Sequence, residues 1–122
     1  MFAATFDPDS GAFGPTTTGK VRVPYPTTSV RQISDLKVVS GRLIAASTSD
    51  PGSAGPFTSA LYDIGSVTLS LGRAVLQLQT PVELGRYDGH KVEAIACANG
   101  VGILGSDDEK AGGAVRAAPF CG

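Results

Sequence analysis

The chain has 122 residues, 17% of them charged, and a formal net charge of −1. This length suits one domain and excludes two of ordinary size. The sequence has no basic run, which argues against nucleic-acid partners, and no apolar stretch of the roughly 20 residues that a membrane span needs. The first residues lack the basic and long apolar segments of a signal peptide, so a cytoplasmic location is the default expectation.

The N-terminal extension, residues 1–29, is predicted to contain one strand. Residues 1–19 are rich in turn-forming dipeptides and are predicted to form loops. Residues 20–25 alternate polar and apolar side chains, with Val21 and Val23 on one face, which is typical of a β-strand. Pro24 lacks a backbone donor and therefore restricts the end of this strand to a sheet edge.

A first group of strands is predicted within residues 30–80. Strands at residues 34–40 and 43–47 are joined by a tight turn at Gly41-Arg42, which makes a hairpin. Residues 49–56 combine Asp, Pro, Gly and Ser and are predicted to form a loop. Further strands are predicted at residues 59–64, 67–71 and 74–78, with Pro81 closing the last of them.

A second group is predicted within residues 81–122. Strands at residues 91–98 and 101–104 flank Asn99-Gly100, and Asn-Gly is the strongest short hairpin signal. An acidic loop follows, and then a short strand at residues 114–117. With 16 Gly and 8 Pro in the chain, we expect turns rather than helices between these strands.

Shifting the sequence by 59 positions aligns the two predicted hairpins without a gap. Gly41 then falls on Gly100, and the loop from Asp50 overlays the loop from Glu109. The other matches are Leu36 with Ile95, Val38 with Cys97, Ile44 with Ile103 and Ser47 with Ser106. We interpret the two regions as copies of one repeat, and repeats of this length with about four strands are typical of propeller blades.

Several short segments resemble two blades of the phytase-like (esterase-like) β-propeller family. The segments of the first blade are Ile33-Ser34-Asp35-Leu36, residues 41–47, Asp50-Pro51-Gly52 and residues 55–62. Those of the second are residues 90–95, Gly105-Ser106-Asp107-Asp108-Glu109 and Gly112-Gly113. The resemblance spans residues 30–117.

The resemblance implies an all-β fold made of two propeller-like blades of antiparallel strands. Members of the family carry about six blades, and two blades cannot close a ring. Repeat units also need neighbours to bury their faces, so a homotrimer with a six-bladed ring is expected. The residues leave two alternatives open: a small β-sandwich or partly open barrel, and a part of a longer propeller.

The resemblance also implies calcium, which enzymes of this kind bind with carboxylates around the central channel. Calcium takes six to eight oxygen ligands, so several acidic side chains must converge. The predicted ligands are Asp107, Asp108 and Glu109, which form the densest acidic cluster, together with Asp35. The alternative is a solvated loop that holds no ligand.

Residues that could serve catalysis are few. His90, Lys91 and Glu93 place a base, a cation and a carboxylate close together, a set that suits phosphate-ester chemistry. The alternative is a strand entry with exposed polar side chains. The sequence contains no Gly-x-Ser-x-Gly elbow and no Walker-type phosphate loop.

Three functions follow from these features. The first is a β-propeller-type module, catalytic or formerly so, that acts on phosphate esters or lactones with calcium. The second is a non-catalytic module that binds a ligand or glycan, although the chain has no Trp and only three Tyr for sugar stacking. The third is a structural assembly protein, such as a virion decoration subunit.

The two cysteines, Cys97 and Cys121, do not make a zinc site, because such sites use about four ligands and the chain has one His. Two interpretations stay open. Either Cys97 is a buried thiol and Cys121 an exposed one, in which case Cys121 reacts first with a thiol reagent, or the two form a disulfide.

Overall fold

The computed structural model describes residues 1–122, and the protein is all-β, as expected. No helix is long and apolar enough to cross a membrane. The N-terminal region contains four strands of two residues each. Strand β1 (Phe2–Ala3) pairs with β4 (Thr17–Thr18), and β2 (Phe6–Asp7) pairs with β3 (Ala12–Phe13), all antiparallel.

The first sheet is a four-stranded antiparallel meander. Its strands are β5 (Val30–Val39), β6 (Arg42–Ser49), β7 (Ser59–Ser70) and β8 (Arg73–Arg86), hydrogen-bonded in that order. Strand β8 continues through Pro81, so the prediction that Pro81 ends a strand is wrong. The pairing of β7 with β8 is irregular there and skips residues 79–81, so this proline removes no ladder donor.

The second sheet has three antiparallel strands. They are β9 (Val92–Ala98), β10 (Val101–Asp107) and β11 (Gly113–Ala118), with β10 in the centre. A single 3-10 turn, Glu109–Ala111, occupies the acidic loop between β10 and β11.

The hairpins β5–β6 and β9–β10 have matching turns and register. The turn residues Ser40 and Gly41 have φ of 49° and 80°, and Asn99 and Gly100 have φ of 51° and 77°. Two consecutive residues with positive φ suit the right-handed twist of a two-residue hairpin, and Gly adopts such angles without a steric cost. From the turn outwards, five cross-strand pairs coincide under the 59-residue shift, ending at Asp35–Ala46 and Ala94–Gly105.

The main core lies between the two sheets. The inner face of the first sheet contributes Ile44, Ala46 and Leu61, and the inner face of the second contributes Val92, Ile95, Leu104 and Ala118. Phe120 completes this cluster from the chain end, where its ring lies over Gly102. A Cβ at Gly102 would collide with Phe120 and with the carbonyl of Ala118, so this close approach requires glycine.

The opposite, rear face of the first sheet forms a second core. Its buried side chains are Leu43, Ala45, Ala60, Tyr62 and Ile64, and they join Val23 from the N-terminal region. Met1, Val21 and Tyr25 pack against the same cluster. The first sheet is therefore covered on both faces, by the second sheet on one side and by the N-terminal region on the other.

The strand predicted at residues 20–25 does not form. The N–H of Val23 donates to Gln32 Oε1 at 3.0 Å, and the N–H of Tyr25 donates to the Tyr62 hydroxyl at 3.0 Å. Pro24 and Pro26 have no N–H to donate. The N–H groups that would pair with a neighbouring strand thus donate to side chains instead. The segment crosses the rear face of the first sheet and covers it without pairing to any strand.

The interpretation of Cys97 and Cys121 as two free thiols is wrong, because the structure joins them in a disulfide with Cα atoms 5.9 Å apart. After β11 the chain turns at Pro119-Phe120, and the buried Phe120 ring brings Cys121 back to β9. Sequence spacing could not reveal this return, because it depends on the packing of Phe120.

The disulfide closes a loop with a sequence separation of 24 residues. Replacing both cysteines by alanine should lower the free energy of unfolding by about 3 kcal/mol, since the unfolded chain loses a cross-link. Urea titration of oxidised protein and of the double variant measures this change. Two reactive thiols in the unfolded, unreduced protein would contradict the assigned bond.

Candidate functional site

A buried lysine lies between the loop that follows β6 and the loop that follows β10. Lys91 precedes β9, and only 7% of its side chain is exposed. Its ammonium lies 2.7 Å from Glu109 Oε1, 3.3 Å from Asp50 Oδ1 and 3.7 Å from Glu93 Oε1. One cation thus faces three carboxylates that come from the loop after β6, from β9 and from the loop after β10.

A second cation completes this arrangement, which we call the Lys91 cluster: Lys91, Asp50, Glu93, Glu109 and Arg31. Arg31 Nη1 on β5 donates to both carboxylate oxygens of Glu93, at 2.8 and 3.1 Å. The cluster contains two cations and three anions, so most of its charge is compensated internally. Such compensation is what makes a buried ammonium tolerable.

The environment of Lys91 favours its charged form. The hydrogen bond to Glu109 raises the pKa of Lys91 above its ordinary value, and the bond to Asp50 adds to this effect. Burial acts in the opposite direction but is outweighed. Lys91 is therefore a fixed cation at neutral pH, unlike a catalytic lysine, which needs a depressed pKa to act as a base or nucleophile.

Asp108 forms a second, adjacent polar group. Its buried carboxylate accepts hydrogen bonds from the Lys91 N–H at 2.8 Å, from His90 Nδ1 at 2.8 Å and from Ser106 Oγ at 3.0 Å. Burial alone would raise the pKa of Asp108, but these hydrogen bonds outweigh it and lower the pKa. The group therefore stabilises the fold above its ordinary pKa of 3.8, and this contribution is lost as the pH falls through the lower folded value.

The Ser106, Asp108 and His90 side chains do not have the geometry of a catalytic triad. An ionised carboxylate only accepts hydrogen bonds, so His90 Nδ1 must carry the proton that it shares with Asp108. The Ser106 hydroxyl donates to the same Asp108 oxygen and accepts from the Ala114 N–H at 3.1 Å. A nucleophilic serine must instead donate to the imidazole. Asp108 thus accepts three hydrogen bonds that hold the start of the loop after β10 against His90 and Lys91.

The predicted catalytic residues fall into two separate groups. Lys91 and Glu93 lie together in the Lys91 cluster, whereas His90 pairs with Asp108. Both groups meet at Lys91, because its backbone binds Asp108 and its side chain binds the carboxylates. The predicted set of base, cation and carboxylate therefore does not converge on one open point.

The predicted calcium ligands also lie apart. Glu109 faces Lys91, Asp108 is occupied by three donors, and Asp107 is exposed and accepts the Glu109 N–H at 3.1 Å. Asp35 accepts the N–H groups of Leu36 and Ile95 between the two sheets. No group of three or more His, Cys, Asp or Glu side chains is arranged to hold a metal ion. The calcium hypothesis stays a prediction, which a calcium-dependent rise in melting temperature would support.

Sequence reasoning missed Asp50, Arg31 and Ser106 as members of these groups. A signal for Asp50 was present, because the 59-residue shift superimposes it on Glu109, and both carboxylates bind the same ammonium. Nothing in the sequence pattern pointed to Arg31, which reaches Glu93 only because β5 of the first sheet packs against β9 of the second.

Removing the central cation tests whether the cluster is structural. Lys91→Met keeps the aliphatic stem but leaves three carboxylates without their ammonium, and it should lower the free energy of unfolding by about 2 kcal/mol at pH 7. This is less than the loss for a fully buried pair, because the carboxylates reach solvent. The matched control Lys110→Met, on an exposed lysine of the same loop, should change stability by less than about 0.5 kcal/mol.

The stabilising effect of Lys91 should depend on pH. The folded pKa of Lys91 lies above 10.5, so its contribution is complete below that pH and is lost as the pH rises through the folded value. The difference between the native protein and Lys91→Met should therefore shrink at strongly alkaline pH. Equal stabilities of Lys91→Met and Lys110→Met at pH 7 would contradict a structural role.

No family model, curated protein or solved structure matches this chain. The resemblance to phytase-like propellers, which rests on the short segments named above, stays a prediction.

Proposed function

We propose that the chain is a non-catalytic assembly module, built from two copies of one β unit, that works by associating with protein surfaces and first of all with its own copies. The observation that carries this proposal is an exposed, mostly apolar face of the second sheet, on a protein whose buried side-chain nitrogen and oxygen atoms all have hydrogen-bond partners. Isolated apolar side chains are common on surfaces, but contiguous apolar faces mark interaction sites.

The two-copy organisation supports the proposal. The hairpins β5–β6 and β9–β10 share turn conformation and register, and each is followed by a further antiparallel strand. In stacked repeats each unit buries its faces against its neighbours, so terminal units keep an open face unless something covers it. The N-terminal region covers one end of this stack, and no element of the chain covers the other.

The hydrogen bonds and ion pairs of the polar side chains support a module without catalytic activity. The three predicted catalytic side chains are all engaged inside the protein: His90 with Asp108, and Lys91 and Glu93 in the Lys91 cluster. Hydrolysis of a phosphate ester or lactone needs a nucleophile, a general base or a metal ion that is free to reach the substrate or the attacking water. The groups instead tie two loops to β9, which suits a rigid scaffold.

Self-association is the direct test of an assembly role. Sedimentation of the native protein between about 1 and 500 µM should show masses above the 12.4 kDa of one chain, and the melting temperature should rise with protein concentration. A dimer or a trimer would each support assembly, and a trimer would favour the six-bladed ring. A monomer across the whole range would contradict the proposal.

A further inference from the structure

The outer face of the second sheet, which points away from the main core, carries one charged side chain, Asp107 at the end of β10, and is otherwise apolar along its three strands. On β9 and β10 its residues alternate with buried or half-buried ones, and the strand pairing places the residues of β11 on the same face. Besides Asp107, they are Ala94, Ala96 and Ala98 on β9, Val101, Ile103 and Gly105 on β10, and Gly113, Val115 and Ala117 on β11. Val115 is 77% exposed and Val101 is 49% exposed.

This composition is unusual for a sheet face in contact with water. Antiparallel strands with one wet face normally alternate apolar and polar residues, whereas strands covered on both faces are apolar throughout. Residues 94–98 of β9 and 101–105 of β10 are apolar on both faces, as are residues 43–46 of β6. Strand β6 is indeed covered on both faces, so these parts of β9 and β10 have the sequence of strands with two covers.

The first sheet indicates what kind of surface fits. Under the 59-residue shift, Ile44 and Ala46 of its inner face correspond to Ile103 and Gly105 of the outer face. Ile44 and Ala46 are buried against the apolar face of another β-sheet, the second sheet of the same chain. The equivalent outer face should therefore also receive an apolar sheet face.

We propose that the outer face packs against the outer face of a second copy of this chain, across a two-fold axis near Ile103 on the central strand. This inference rests on the proposed assembly function and assigns it a surface and a symmetry. A two-fold interface brings each patch against itself, which would place like charges together on a charged face. Around Ile103 the outer face is uncharged and therefore self-compatible, and its one charge, Asp107, lies four residues away at the end of β10.

Head-to-tail stacking is the competing arrangement, and the structure disfavours it. It would place the outer face of one copy on the rear face of the next. That rear face is already covered by Val21, Val23 and Tyr25, and Tyr25 is held by two hydrogen bonds to the Tyr62 hydroxyl, at 3.0 and 3.1 Å. The two-fold pairing leaves this cover in place.

The size of the outer face sets the expected affinity. Three strands about 4.8 Å apart with about six residues each offer roughly 300 Å² per copy. Stable interfaces bury about 800 Å² per partner, so the sheet face alone gives a weak dimer. We therefore expect a dissociation constant in the micromolar range or above, and the measurement must extend to about 500 µM.

A matched pair of valines tests the surface. Val101→Glu places a charge in the outer face, and Val38→Glu places it at a similarly exposed position, 50% against 49%, on the first hairpin. The native protein should sediment as a dimer at high concentration. Val101→Glu should weaken dimerisation by at least about tenfold, Val115→Glu should do the same, and Val38→Glu should leave the dimer unchanged. Circular dichroism confirms that each variant is folded.

A second measurement tests the symmetry. With Ile103→Cys, a bifunctional thiol reagent of about 10 Å should link two chains through this position, because packed sheets lie about that far apart. A native dimer or trimer that survives both Val101→Glu and Val115→Glu would overturn the inference and leave the assembly function standing. So would a dimer that Ile103→Cys fails to link. A native protein that stays monomeric would overturn both.

Discussion

Strand β6 is buried on both faces, and the rest of the structure depends on this constraint. Ile44 and Ala46 face one side and Leu43 and Ala45 the other, and all four are almost fully buried. Burying a side chain such as Ile44 contributes about 1.5–3 kcal/mol relative to leaving it in water. A single sheet cannot provide two covers for itself. The second sheet and the N-terminal region therefore have to fold onto opposite sides of the first sheet.

The polar groups serve this packing. Ser59 Oγ donates to the His90 carbonyl and accepts from the Val92 N–H, which fixes the start of β9 against β7. Asp35 accepts from Ile95 in the same interface. The Lys91 cluster then holds the loops at the end of the sheets with compensating charges. Residues that suggest chemistry in the sequence thus act as connections between sheets, since a buried polar group without a partner is costly.

Much of the fold could be predicted, because local rules govern it. Period-two alternation and the glycines at Gly41 and Gly100 identify both hairpins. The segment 20–25 has the same alternation but forms no strand, since the Tyr62 hydroxyl and two prolines decide its pairing. The candidate site was less predictable. The link between Arg31 and Glu93, like the disulfide at Cys121, depends on how distant segments pack, which neither spacing nor composition encodes.

In the assembly that we propose, the outer face of the second sheet is one half of an interface between two chains. Hydrogen–deuterium exchange at low and high protein concentration tests this claim directly, because amides under a covered face exchange more slowly. The amides of β6 should be strongly protected at both concentrations, and those of β9 to β11 should gain protection as concentration rises. Exchange in β9 to β11 that does not change with concentration would contradict the account.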